Sequence, residues 1–186
     1  KKGSKIIKKN YKIMTHCHSG EALSVIKQAW KEGKKVSVFA TITQPLEQGI
    51  KTAKELEREK IDVTLITDAA VGHFMKEVDM VLVGADAVRL EPPYGIVNKI
   101  GTSLIATSAK ENRKPFYVAA NSLKFDRRKK LKIEERPISE IIKGLSTPVN
   151  LKKIKVRNPA FDIVSKRLIT AVITEKGILK PGRIWK

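Results

Sequence analysis

Between residues 13 and 120, short apolar runs alternate with stretches of helical spacing, and few architectures satisfy that alternation. The runs are Ile13-Met14-Thr15, Val36-Ser37-Val38-Phe39-Ala40, Ile61-Asp62-Val63-Thr64-Leu65-Ile66, Met80-Val81-Leu82-Val83-Gly84 and Phe116-Tyr117-Val118-Ala119-Ala120. Each has strand length and is rich in β-branched or aromatic residues. Between them, Ala22, Leu23, Val25, Ile26 and Trp30 recur at helical spacing, and Ile50, Ala53 and Leu56 share one face of a helix over 47–60. A shorter helix is expected near 69–75, and another over 98–110 with Ile100, Leu104 and Ile105 inward. Strands separated by helices pair in parallel through right-handed crossovers, and both faces of such a sheet are covered.

The fold class that follows is α/β: a Rossmann-like, open, mostly parallel sheet flanked by helices on both faces. No Gly-X-Gly-X-X-Gly dinucleotide fingerprint and no Walker A loop occur, so a nucleotide cofactor is not signalled. Past Phe125 the pattern loosens. Residues 131–134 alternate like an edge strand, 138–142 suit a short helix, and 145–151 read as a connector containing Pro148. Residues 168–173 are expected to be a last strand or the helix leading to one, and Pro181 is expected to stop regular structure. Residues 1–11 read as a basic arm in front of one domain over 12–186.

Formal net charge is +19, and it is concentrated at the ends of the chain. Residues 1–12 hold six lysines and no acid, 13–126 hold 15 basic and 14 acidic side chains, and 127–186 hold 17 and 5. That field attracts anions at long range. With aromatic residues at 5%, and no zinc-finger spacing or Gly-X-X-Gly clamp loop in a KH-like setting, nucleic acid is not expected as a specific ligand. One cysteine excludes an intrachain disulfide. No apolar run approaches the roughly 20 residues that span a bilayer, so no membrane partner is expected and the location expected is cytoplasmic.

In an open α/β sheet, ligands bind beyond the C-terminal ends of the strands. Four such ends are chemically distinctive: Thr15-His16-Cys17-His18-Ser19-Gly20, Thr41-Ile42-Thr43-Gln44-Pro45, Thr67-Asp68-Ala69-Ala70, and Gly84-Ala85-Asp86, the last continuing to Asn98-Lys99-Ile100-Gly101-Thr102. The first enters a helix N-terminus, where free N–H groups suit a phosphate and a thiol is expected to be partly ionised. His16, Cys17 and His18 alternate in direction along extended chain, so they do not converge on a metal. Ser19 lacks a Gly-X-Ser-X-Gly elbow. Cys17 and Asp86 are the pair best suited to moving protons between adjacent carbons of a bound sugar, with Lys99 neutralising phosphate and Asn98 orienting a hydroxyl. Plainer readings stand beside these: Cys17 as a buried turn residue, Asp86 as a strand-end cap, and Asp68 as the N-cap of its own helix.

At these residues the chain resembles the family that joins ribose-1,5-bisphosphate isomerase, methylthioribose-1-phosphate isomerase and the regulatory subunits of initiation factor 2B. The markers are Thr-His-Cys-His-Ser (15–19), Leu-Ile-Thr-Asp (65–68), Gly-Ala-Asp (84–86) and Asn-Lys-Ile-Gly-Thr (98–102). Pro-Phe-Tyr-Val-Ala-Ala (115–120), Asn-Pro-Ala-Phe-Asp (158–162) and Ile-Thr-Glu-Lys-Gly (173–177) add to them. The resemblance covers Tyr11 to Gly182. It implies an aldose-1-phosphate to ketose-1-phosphate isomerisation, without metal, nicotinamide or other cofactor, on a phosphorylated sugar such as ribose 1,5-bisphosphate. By it, Cys17 and Asp86 are the catalytic pair and Asn98 and Lys99 contact substrate. His16, His18, Ser19, Gly20 and Gln44 are expected to line the same site. A homo-oligomer is implied as well.

Three departures pull the other way. Enzyme members read Glu-Thr-Arg-Pro where this chain has Ile42-Thr43-Gln44-Pro45, and Gln44 does not replace a bidentate, charged phosphate donor. The loop over 89–97 is long and carries Pro92-Pro93. Family members also have an N-terminal helical domain, of which residues 1–11 would be a remnant. The alternatives to a bisphosphate isomerase are therefore a regulatory or assembly subunit associating with initiation factor 2, and a methylthioribose-1-phosphate isomerase.

Overall fold

The computed structural model describes residues 2–143, 145 and 154–185. The chain runs β1 (Lys12–Thr15), α1 (Gly20–Lys31), β2 (Ser37–Thr41), α2 (Gln48–Arg58), β3 (Asp62–Ile66), α3 (Val71–Phe74) and β4 (Met80–Gly84). It continues with β5 (Ala87–Arg89), β6 (Gly95–Lys99), α4 (Thr102–Glu111), β7 (Phe116–Ala119), β8 (Phe125–Asp126) and α5 (Ser139–Ile142). Last come β9 (Phe161–Ser165), β10 (Ala171–Ile173), β11 (Ile178–Leu179) and α6 (Pro181–Ile184).

The main sheet has seven strands in the order β11-β10-β7-β4-β1-β2-β3. Only the β10–β11 pair is antiparallel; the other neighbours run parallel, for instance Ile13 opposite both Val38 and Met80. Every residue of β4 is buried, which its near-continuous apolar run requires of a central strand covered on both sides. One face is closed by Leu23, Ile26 and Ala29 of α1 and Leu56 of α2, packed with Ile13, Val38 and Leu82. Val71 and Met75, at α3, and Ile105, Ala106 and Ala109 of α4 close the other, against Met14, Val81 and Val118. Truncating one of these, such as Ile26→Ala, is worth about 2–5 kcal/mol at full burial.

Three helices stop in the same way. The N–H groups of Gly33 and Lys34 return to Trp30 and Ala29, those of Lys60 and Ile61 to Glu57 and Leu56, and those of Arg113 and Lys114 to Lys110 and Ala109. Each is a Schellman closure with its first residue at positive φ: Gly33 at 77°, Lys60 at 60° and Arg113 at 55°. Helix ends thus account for two of the left-handed non-glycine residues.

β1 leads by way of β2 to β3 on one side, and β4 by way of β7 to β10 on the other, so the strand order reverses between β1 and β4. At such a reversal an open α/β sheet places its ligand crevice beyond the C-terminal ends of the strands. Over it stands a second sheet of four strands, β8-β5-β6-β9.

Several expectations need correction. Asn98 and Lys99 do not begin a helix; they end β6, paired to β9 through Asn98 opposite Asp162 and Lys99 opposite Phe161, and α4 starts only at Thr102. The second sheet was not expected at all, because β5 is three residues long and β9, the outer partner of β6, lies far away in sequence. Residues 131–134 form no strand; one isolated bridge joins Glu135 to Pro159. Pro181 starts α6 rather than stopping structure, because its missing N–H is no loss at a first helical position. The 145–151 connector lies outside the described residues except at Leu145. Within the basic arm, Gly3–Ile6 form a 3-10 turn and Ile7 is buried in the same cluster as Leu23 and Ile26.

Candidate active site

Cys17 follows β1 and Asp86 follows β4, so the two stand at the ends of adjacent strands on either side of the reversal point. Strands so paired lie about 4.8 Å apart. Asp86 is fixed by its backbone, whose N–H donates to the Val97 carbonyl at 2.8 Å. The β5–β6 hairpin then returns the chain with Ala87 opposite Val97, which brings Lys99 back toward Asp86 across thirteen positions of sequence. Lys99 is 6% exposed and makes no ion pair among the described residues. A nearly buried ammonium that acts on Asp86 and Glu140 through space but touches neither carboxylate is suited to an anion that completes it.

The charges at these three positions act on one another. Burial pushes the Cys17 thiol upward; the His18 N–H and Lys99 pull it down, and Asp86 adds to the rise. The thiol is therefore protonated at neutral pH, and the partial ionisation expected of a helix N-terminus does not occur. The helix dipole falls off within one turn, and Cys17 lies ahead of the Ser19 cap. The Asp86 carboxyl is also raised, first by desolvation although the residue stands at the exposed rim, then by Glu21, against Lys124 and Lys99.

Cys17 has a left-handed backbone, φ 64°. Its N–H donates to the Thr43 hydroxyl at 2.9 Å, and its carbonyl accepts from the Thr52 hydroxyl at 2.8 Å. His16 is 2% exposed, with Nδ1 2.6 Å from the Thr41 hydroxyl and Nε2 2.7 Å from the Ile100 carbonyl. Burial lowers its pKa, so the ring is neutral at pH 7. A carbonyl only accepts; Nε2 therefore carries the proton and Nδ1 accepts from Thr41. Thr41 having spent its proton there, the Thr43 hydroxyl, 3.1 Å away, donates to Thr41. A one-way chain results: Cys17 N–H to Thr43, Thr43 to Thr41, Thr41 to His16, and His16 to the carbonyl next to Lys99. Such chains polarise cooperatively.

His16 thus has no ring nitrogen left for a ligand and acts as a strut. Gly101, at φ 99°, makes room for it: a Cβ there would lie 3.0 Å from His16 Cε1. His18 meets the Thr52 hydroxyl through Nδ1 at 3.1 Å and Glu55 through Nε2 at 3.5 Å. Because Thr52 donates to Cys17, His18 must donate through Nδ1, leaving Nε2 as an acceptor when neutral. Ser19 caps α1, accepting from the Ala22 N–H at 3.3 Å, and Gly84 is the residue it presses on, with 2.3 Å between a Cβ there and Ser19 Oγ. Gly20 is the first residue of α1, where N–H groups lack helical partners. Asn98 donates to Thr102 at 3.0 Å and is 6% exposed. Gln44 is exposed at the rim, with its amide on Glu47 at 3.3 Å.

Asp68 does not cap its own helix. Its two oxygens accept the N–H groups of Thr43 and Gln44 at 2.9 and 2.7 Å, pinning the loop after β2. Asp162 performs the capping that Gly101 cannot, accepting from the Gly101 and Ser103 N–H groups at 2.8 and 3.0 Å. The roles of Thr41, Thr43, Thr52 and Asp162 were missed from sequence; Thr52 lies on an amphipathic helix with nothing local to mark it. Among the described residues no group of three His, Cys, Asp or Glu side chains is placed to hold a metal ion. No described helix is long and apolar enough to cross a membrane.

The model of the initiation factor 2 subunit family matches residues 1–181. The chain belongs to that family. It is 47% identical over 187 residues to ribose 1,5-bisphosphate isomerase of Methanocaldococcus jannaschii, covering 98% of this chain and 59% of that protein. Methylthioribose-1-phosphate isomerase of Acetivibrio thermocellus is 45% identical over 196 residues, covering 96% and 56%. Among solved structures, translation initiation factor eIF-2B, subunit delta, from A. fulgidus superposes with a TM-score of 0.89 at 39% identity, covering 97% of this chain and 56% of that one. The chain thus spans a little over half the length of the family members it matches.

Proposed function

We propose that this family member isomerises an aldose 1-phosphate to the ketose 1-phosphate, with ribose 1,5-bisphosphate as the first substrate to test. The observation that carries the reading is Lys99: a nearly buried ammonium, unpaired among the described residues, beside a protonated thiol and a carboxylate from neighbouring strand ends. The identity to two sugar-phosphate isomerases supports the same class. The ammonium takes the phosphate. The Cys17 thiol delivers its proton to the ring oxygen as the bond from that oxygen to C1 breaks. Then either the C2 hydrogen passes to C1 as hydride while Asp86, as the carboxylate, takes the C2 hydroxyl proton, or Asp86 takes the C2–H proton and returns it to C1 while the C2 hydroxyl proton is lost. In both routes the released hydroxyl proton restores the one Cys17 gave up, and C2 is oxidised as C1 is reduced without an external redox partner. Deuterium at C2 separates the two routes: retention at C1 marks a hydride shift, and exchange with solvent marks an enediol.

The test is ketose phosphate formation from ribose 1,5-bisphosphate by the intact protein, with Cys17→Ala as control. Turnover by the parent and none by the variant is the expected result; equal turnover by both refutes the assignment. A regulatory reading is favoured by one observation, Gln44, which offers no cation where a phosphate-binding arginine would stand and is bonded to Glu47. That reading requires sugar phosphate binding without turnover, together with association with initiation factor 2.

A further inference from the structure

We infer that Thr43 and Thr52 are positioning residues for Cys17: their hydroxyls grip its two peptide groups and hold it in the left-handed conformation that aims the thiol at the crevice. The inference rests on Cys17 being the reacting group. Among the described residues, seven other than glycine have positive φ. Lys60 and Arg113 are explained by helix C-termini and Glu47 at 55° by the N-cap of α2, whereas Cys17 at 64° and Thr43 at 66° each stand two residues beyond the ends of β1 and β2. For a β-branched residue such as Thr43 this conformation is an outlier, which persists only where the surroundings impose it.

The surroundings here can be named. Asp68 takes the N–H groups of Thr43 and Gln44, fixing the Thr43 backbone from β3. Thr43 is fully buried, and its hydroxyl accepts from Cys17 while donating toward Thr41. Thr52, 1% exposed, comes from α2, and its hydroxyl donates to Cys17 while accepting from His18. α2 approaches closely enough because Gly49 has no side chain: a Cβ there would lie 1.6 Å from the Thr41 carbonyl oxygen. Both hydroxyls are used as donor and acceptor at once, so neither threonine is an interchangeable filler. Replacement by valine keeps the shape and removes both bonds.

The experiment compares Thr43→Val, Thr52→Val, Thr43→Ser and Thr52→Ser in the intact protein. It reads the rate at which iodoacetamide alkylates the single cysteine, the thermal midpoint, and kcat and KM with ribose 1,5-bisphosphate. The valine variants are expected to be alkylated at least about fivefold faster and to lose about tenfold or more in kcat with KM within about twofold, as misplacement of a reacting group requires. The serine variants are expected to stay near the parent in both. Folded valine variants that match the parent in alkylation and kcat, or are alkylated more slowly, overturn the inference. If Thr43→Val does not fold, Thr52→Val and its serine counterpart decide. If Cys17→Ala retains full turnover, the catalytic role of Cys17 fails, while the alkylation rates still decide whether the threonines set the thiol.

Discussion

Cys17 and Asp86 end neighbouring strands, yet one is gripped at both its peptide groups while the other leaves its carboxylate without a hydrogen bond among the described residues. The thiol side of the crevice is a closed network running from Asp68 through Thr43 and Thr41 to His16 and Ile100. The carboxylate side is held by one backbone bond, from Asp86 N–H to Val97, and by the β5–β6 hairpin. One group is placed before any ligand arrives; the other is left to meet it. On the proposed reading, an acid that must strike one ring oxygen gains from fixed geometry, whereas a base serving two adjacent carbons gains from latitude.

The largest effects separate chemistry from stability on the two sides. Asp86→Asn and Cys17→Gly should each lower kcat by about 10²–10⁴-fold. Their thermal midpoints should not fall. Asp86 has a raised pKa, so the folded protein binds its proton more tightly than the unfolded chain does; ionisation costs stability, absent below 3.8 and fully present above the raised value. Removing the charge therefore holds or raises the midpoint at pH 7. At Cys17, glycine relieves a left-handed backbone that costs about 1–2 kcal/mol, and calorimetry should read a gain. A large loss of stability in either variant would mean the residue is architectural.

Lys99→Met should weaken binding of the sugar phosphate about 10–100-fold, the worth of a charged hydrogen bond, while the midpoint holds or rises because an unpaired, nearly buried charge is gone. Titration calorimetry and a melting curve check both halves. Gly101→Ala, which forces a Cβ to 3.0 Å from the His16 ring at φ 99°, should cost about 1–3 kcal/mol and loosen only the thiol side.

The smallest effect is the pH dependence of stability. Burial holds the His16 pKa below 6.5, and His18 is lowered too. The unfolded chain then takes up protons first as pH falls, so stability present above 6.5 is lost as pH drops from 6.5 toward the folded values. Midpoints measured from pH 7.5 to 5 should decline, and less steeply in His16→Asn. In activity, the acid limb of kcat/KM should lie above 3.8 through Asp86 and the alkaline limb above 9.0 through Cys17.

The same contrast explains what was legible in the sequence. The main sheet was, because Met80-Val81-Leu82-Val83-Gly84 and its counterparts state their burial in one short run. The strand ends were legible too, and with them the placement of Cys17 and Asp86 just beyond β1 and β4. The second sheet was not: Asn98-Lys99 read as a helix start, because nothing nearby announces that residues 161–165 will pair with them. The thiol network was hidden for a related reason. Thr52 looks like any polar residue of an amphipathic helix, and its role appears only when Gly49 lets that helix touch β2. Asp68 was visible as a capping residue, but which backbone it caps is a tertiary fact.

The most direct test of the account is a crystal structure of the Cys17→Ala protein soaked with ribose 1,5-bisphosphate. The sugar is expected between the ends of β1 and β4, with the C1 phosphate on Lys99, the ring oxygen facing position 17, and Asp86 within hydrogen-bond reach of the C2 hydroxyl. A sugar bound elsewhere, or a crevice filled by the protein's own side chains, would contradict it.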